Sequence, residues 1–141
     1  MQTNPTRSIT ALVLICAAMI PLVVGVRSAV GQTAQTKRVM QQKLAESQQL
    51  LGALVTSNWA ALNQRAQALQ ALTRDPGWQV LQTPEFRDYT AAFQRSTQAV
   101  IAAAGQRDQR TALTAYNQLV SSCVECHRYI ARSRIAGRQQ P

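Results

Sequence analysis

The side chains best suited to chemistry stand together near the C-terminal end, in Cys123-Val124-Glu125-Cys126-His127. His127 is the sole histidine of the 141 residues, and the third cysteine, Cys16, lies far away in an apolar N-terminal run. Two thiols two residues apart, with an imidazole directly after the second, have the spacing of a covalent attachment site for a c-type haem. The thiols add across the two vinyl groups and fix one edge of the ring. The imidazole then reaches iron as proximal ligand. On a helix, at about 100° per residue, the three side chains fall within roughly 100° of arc and leave from one side. That side is expected to be shared with Leu119, Val120 and Ile130, pressing the haem into a core.

Other chemistries fit these residues less well. A closed structural zinc site takes four protein ligands. Two Cys and one His would need a second chain to complete it. A thioredoxin-type pair sits in a βαβ context, and no stretch here alternates with period two. An unreactive buried Cys pair is the bland alternative. The six acidic residues form no paired-carboxylate arrangement. No Ser-His-Asp pattern and no Gly-rich phosphate loop is present, so the chain does not read as an enzyme.

The N-terminal thirty residues read as an address. Arg7 precedes eighteen uncharged residues, Ile9 to Val26, and Arg27 is followed by Ser28-Ala29-Val30-Gly31. Ala29 and Gly31 stand at the spacing of an exit site before Gln32, so residues 1–31 are expected to be a secretory signal peptide. An uncleaved anchor is the alternative, because eighteen apolar residues just span a bilayer. Cys16 lacks the small residue before it that lipidation calls for. The functional domain is then 32–141, exported to the periplasm, with membrane contact only through a retained N-terminal segment.

The formal charge is +9, from 15 basic and 6 acidic side chains. Without Arg7 and Arg27, 13 basic side chains remain against 6, about +7. Export argues against a nucleic-acid partner. A solvated positive surface able to meet anionic partner proteins is the simpler reading.

With 46% hydrophobic but only 5% aromatic residues, the composition favours helices. Helix one is expected from Gln35 to about Thr56, with Met40, Leu44, Leu51, Leu54 and Val55 on its inward stripe. Ser57 or Asn58 can cap a second, Trp59 to Leu72. Arg74-Asp75-Pro76-Gly77 breaks the chain. Thr83-Pro84-Glu85 starts a third, with Phe86, Tyr89, Thr90, Phe93, Thr97, Val100 and Ala104 inward and Gly105 closing it. Asp108 can cap a fourth, with a stripe of Leu113, Tyr116, Leu119, Val120, Cys123, Cys126, His127 and Ile130. Trp59, Phe86, Phe93 and Tyr116 are expected to pack the core or the haem. The fold predicted is all-α, an antiparallel four-helix bundle running up-down-up-down.

A Cys-x-x-Cys-His near the C-terminus of an exported helical chain resembles the class II c-type cytochromes, the family of cytochrome c′ and its low-spin relatives. The resemblance covers the mature chain in length and helix layout, and its one sharp motif is Cys123 to His127. It implies a single covalent haem c, with iron held by His127. It also implies that a residue near the start of helix one faces the distal side, and that this residue binds iron when it is Met. Met40 fits, as the only Met after residue 31. The bundle topology puts the start of helix one beside the end of helix four. A Met on an inward stripe is otherwise ordinary core filling.

The family's usual Arg four residues before the distal position is Thr36 here, and its aromatic-Arg pair after the His is Ile130-Ala131. Lys37, Arg38, Lys43, Arg128 and Arg132 are the candidates for the haem propionates. Each also reads as a solvated charge. The expected function is one-electron transfer with redox partner proteins, with dimerisation through the first two helices implied by the resemblance. The alternatives are a five-coordinate haem that binds NO or CO, and a haem-free helical interaction module.

Overall fold

The computed structural model describes residues 33–138, with side chains through 134. The chain divides at Gln35/Thr36, and the unit from Thr36 onward holds the bundle. The proposed signal segment, 1–31, lies outside the described residues.

Four helices make up the fold, with no strand among the described residues. We label them α1 (33–55), α2 (Trp59–Leu72), α3 (Pro84–Gln106) and α4 (Gln109–Arg138). Local chemistry sets most of the boundaries. The Asn58 side chain accepts from the Ala61 amide and starts α2. The Thr83 hydroxyl accepts from the Phe86 amide, and Pro84 occupies the first helical position, where its missing N–H costs nothing. Asp108 Oδ1 accepts from the Arg110 and Thr111 amides and starts α4. These bonds hold the Asp108 carboxyl below its ordinary range, the Thr111 hydroxyl contributing most.

The cross-helix contacts give the direction of each helix. Gln109 Nε2 donates to the Leu54 carbonyl at 2.9 Å, joining the end of α1 to the start of α4. At the other end, Lys43 of α1 meets His127 of α4. Glu46 of α1 pairs with Arg65 of α2 at 3.3 Å. Gln70 of α2 bonds Gln98 of α3, and Thr83, before α3, bonds Tyr129 of α4. Neighbours in sequence are therefore antiparallel, and α1 runs antiparallel to α4. The bundle is up-down-up-down, with Leu50, Leu62, Leu69, Val100 and Leu119 fully buried at its centre.

Several sequence expectations need correction. The inward face of α1 is Val39, Lys43, Leu50, Ala53 and Leu54. Leu44, Leu51 and Val55 are exposed. A search for aliphatic residues alone lands on the wrong face, because a lysine and an alanine occupy two of the core positions. On α4 the buried residues are Ala112, Ala115, Leu119 and Ser122, whereas Leu113 and Val120 are exposed. Helix α3 continues through Gly105 and is closed by Arg107 in the left-handed conformation at φ 55°. Its stripe from Phe86 to Ala104 is as expected.

The register of α1 is open to a direct test. Leu50→Ala should destabilise the protein by about 2–5 kcal/mol in denaturant unfolding, the range for a fully buried leucine. Leu51→Ala should change stability by no more than about 0.5 kcal/mol. For Asp108 the sign follows from its lowered pKa. Its contribution is present above pH 3.8, the ordinary value, and is lost as pH falls through the folded-state value. Acid titrations of stability should therefore be flatter for Asp108→Asn than for the parent.

Candidate functional site

Helix α4 carries the motif past the centre of the bundle to the end where α1 begins. Cys123 and Cys126 are half-buried and unpaired thiols. His127 is on the exposed side of this edge. Together with the exposed Val120, this places the motif at the rim of the core, not deep inside it as expected. Among the described residues no three His, Cys, Asp or Glu side chains converge to hold a bare metal ion.

Cys126 and His127 line a cavity of about 240 Å³ whose other walls include Thr36, Met40 and Lys43 of α1, Phe86 of α3, and Trp78 and Val80 of the connection before it. Ile130 and Arg134 of α4 complete it. The connection is built to supply Trp78. Asp75 Oδ1 accepts from the Gly77 amide and the Asp75 carbonyl accepts from the Trp78 amide. The indole N–H then donates to Thr90 Oγ1 at 3.1 Å, and the ring packs on Phe93 with centroids 5.0 Å apart.

Lys43 is the residue that sequence reasoning misplaced. It is 6% exposed, not a solvated charge. Its Nζ lies 4.9 Å from the Trp78 ring centroid and 5.5 Å from that of Phe93, within range of a cation–π contact. The same Nζ is 3.4 Å from His127 Nε2. An ammonium has no lone pair, so with Lys43 in that form the matching His127 tautomer accepts at Nε2 and carries its proton on Nδ1. Burial, then the Lys43 charge, lowers the His127 pKa below 6.5, which favours this neutral form.

Burial raises both thiols above their ordinary value of 9.0, while Lys43 opposes that rise at each. The other basic candidates stay outside the cavity. Lys37, Arg128 and Arg132 are exposed, and Arg38 pairs with Asp75 at 3.8 Å. Arg134 takes a place on the wall that sequence reasoning had not assigned to it.

The donor set suits a porphyrin. Two half-buried thiols on one helix, an imidazole beside them and an aromatic and aliphatic wall are groups that a covalent haem uses; Cys126 and His127 line the cavity, and Cys123 lies off its wall. The cavity is smaller than the roughly 300–1,000 Å³ of common ligand sites, so a ring entering it must part Lys43 from His127. No family model matches the chain, and neither a curated protein nor a solved structure matches it. Among the described residues, no helix is long and apolar enough to cross a membrane.

In the haem-free protein, alkylation of Cys123 and Cys126 should follow a pH midpoint above 9.0. Lys43→Ala should raise that midpoint further and slow the reaction at fixed pH, as read by mass spectrometry after timed alkylation.

Proposed function

We propose that this protein is an exported monohaem c-type cytochrome of the class II kind, acting as a one-electron carrier in the periplasm. The observation that carries the reading is the grouping of Cys123, Cys126 and His127 within one turn of α4, with His127 Nε2 facing Lys43 of α1 at a cavity that Cys126, His127 and Met40 line. A haem bound there supplies reversible one-electron chemistry at its iron.

The chain's own residues have distinct tasks. Cys123 and Cys126 hold the ring edge through thioether bonds. His127 Nε2 would hold the iron, and its neutral form keeps the required lone pair free. Met40, half-buried on the same wall as Lys43, would offer its thioether to that iron. A sulfur ligand would stabilise the ferrous state and raise the midpoint potential. Trp78 and Phe86 shield the ring from water. Arg134, on the cavity wall, would offer a cation to a propionate.

An open, gas-binding iron fits less well, since both a thioether and an amine line the distal wall.

The test is attachment itself. Expressed with the haem c maturation machinery, the processed chain should gain one porphyrin in intact mass and show sharp, split visible bands when reduced. Cys123→Ser or Cys126→Ser should leave one thioether, and the double variant none. His127→Ala should abolish the low-spin spectrum. A wild-type chain that matures without any porphyrin increment overturns the proposal.

A further inference from the structure

Lysine at a core position of α1 calls for an explanation. Burying an ammonium is costly unless something compensates it, and the Trp78 and Phe93 rings near Nζ supply part of that compensation. Lys43 takes part in neither the Arg38–Asp75 nor the Arg65–Glu46 ion pair. The polar contact of its side chain is with His127 Nε2, at 3.4 Å. The direction in which Nε2 accepts a hydrogen bond is also the direction in which it donates to a metal. Lys43 Nζ thus lies on the side of the imidazole where iron belongs. A metal–nitrogen bond is about 2 Å, so two nitrogens on opposite sides of one metal stand about 4 Å apart. The observed separation, 3.4 Å, is shorter than that, so the two nitrogens must move apart for a ring to enter between them.

We propose, on the footing of the cytochrome reading, that Lys43 supplies the distal nitrogen ligand of the ferric iron, leaving the Met40 thioether to the ferrous state. Met40 and Lys43 are three residues apart on α1, so they are neighbours on one helix face, and both line the cavity with His127. Their donor atoms differ in the sense that matters. An amine is hard and a thioether soft, and iron hardens on losing an electron.

The exchange balances. A one-electron donor protein reduces the iron; the bond to Nζ breaks, and Nζ takes one proton from water. A lone pair on the Met40 sulfur makes the new bond. Oxidation by a one-electron acceptor protein reverses each change. A ligand that binds in one oxidation state only shifts the equilibrium toward that state. Lys43 therefore lowers the midpoint potential and Met40 raises it.

The experiment uses the full chain matured with haem, as wild type, Lys43→Ala, Lys43→Arg and Met40→Ala. Arginine keeps the bulk and charge but stays protonated, so it guards against a packing failure. Helical circular dichroism checks each fold. Electron paramagnetic resonance and near-infrared magnetic circular dichroism identify the ferric ligands, and spectroelectrochemistry gives the potential.

The wild-type ferric protein should show a low-spin imidazole–amine signature with no sulfur-to-iron charge-transfer band. Both Lys43 variants should lose that signature, and their midpoint should rise by at least about 59 mV, a tenfold loss of ferric stabilisation for one electron. Met40→Ala should keep the ferric signature and lower the midpoint. A sulfur band in the wild-type ferric protein overturns the inference, as does a ferric signature that survives in both Lys43 variants. A wild-type chain without covalent porphyrin overturns the cytochrome reading first, and this inference with it.

Discussion

A single basic side chain on the inward face of α1, packed over two aromatic rings and against an imidazole, organises the functional end of this bundle. Lys43 is nearly sealed from water, so its charge is felt at short range by each reactive group of the motif. It helps keep His127 neutral and offsets part of the burial penalty on Cys123 and Cys126. The geometry that allows this is the antiparallel run of α1 against α4. Gln109 anchors that run at one end by donating to the Leu54 carbonyl. At the other end, residues 84 positions apart in sequence come into contact.

That arrangement suits a prosthetic group fastened from one helix and completed from another. Helix α4 carries both thiols and the imidazole in five residues, so their mutual spacing needs nothing beyond helical geometry. Helix α1 supplies the opposite side, and its reach depends on the whole bundle. Trp78 and Phe93 form the aromatic floor between them, positioned by the Asp75 turn and the Thr90 hydroxyl. The rigid part of the site is thus local, and the adjustable part is assembled by tertiary contacts. For the electron carrier proposed above, orientation and electrostatics would be the protein's main contributions.

Much of this could be read from sequence because it was local. Asn58, Thr83-Pro84 and Asp108 announce the starts of three helices through side chains that satisfy nearby amides. The Phe86, Phe93 and Val100 spacing reports the buried face of α3 directly. The motif from Cys123 to His127 was legible for the same reason. What escaped were the features settled across the bundle. The buried face of α1 was hidden because Lys43 and Ala53 hold core positions while Leu44, Leu51 and Val55 face outward. Trp78 lies in an irregular connection with no periodicity to betray its burial. Arg107, not Gly105, closes α3, since an isolated residue other than glycine can hold a positive φ at a helix end. Lys43 itself looked like any surface charge until the opposite helix was in place.

Thr83 ties two of these scales together. Its hydroxyl begins α3 by accepting from Phe86, and the same oxygen lies 2.7 Å from the phenol of Tyr129, whose ring stacks near Tyr89. Tyr129 is two residues beyond His127 on a continuous helix. Twisting α4 about its own axis would swing the imidazole away from α1, and it would also pull the phenol off Thr83 and disturb the first turn of another helix. The heading of the His127 imidazole is thereby locked to the nucleation of a neighbouring element, so the Tyr129 phenol acts as the clamp on its azimuth.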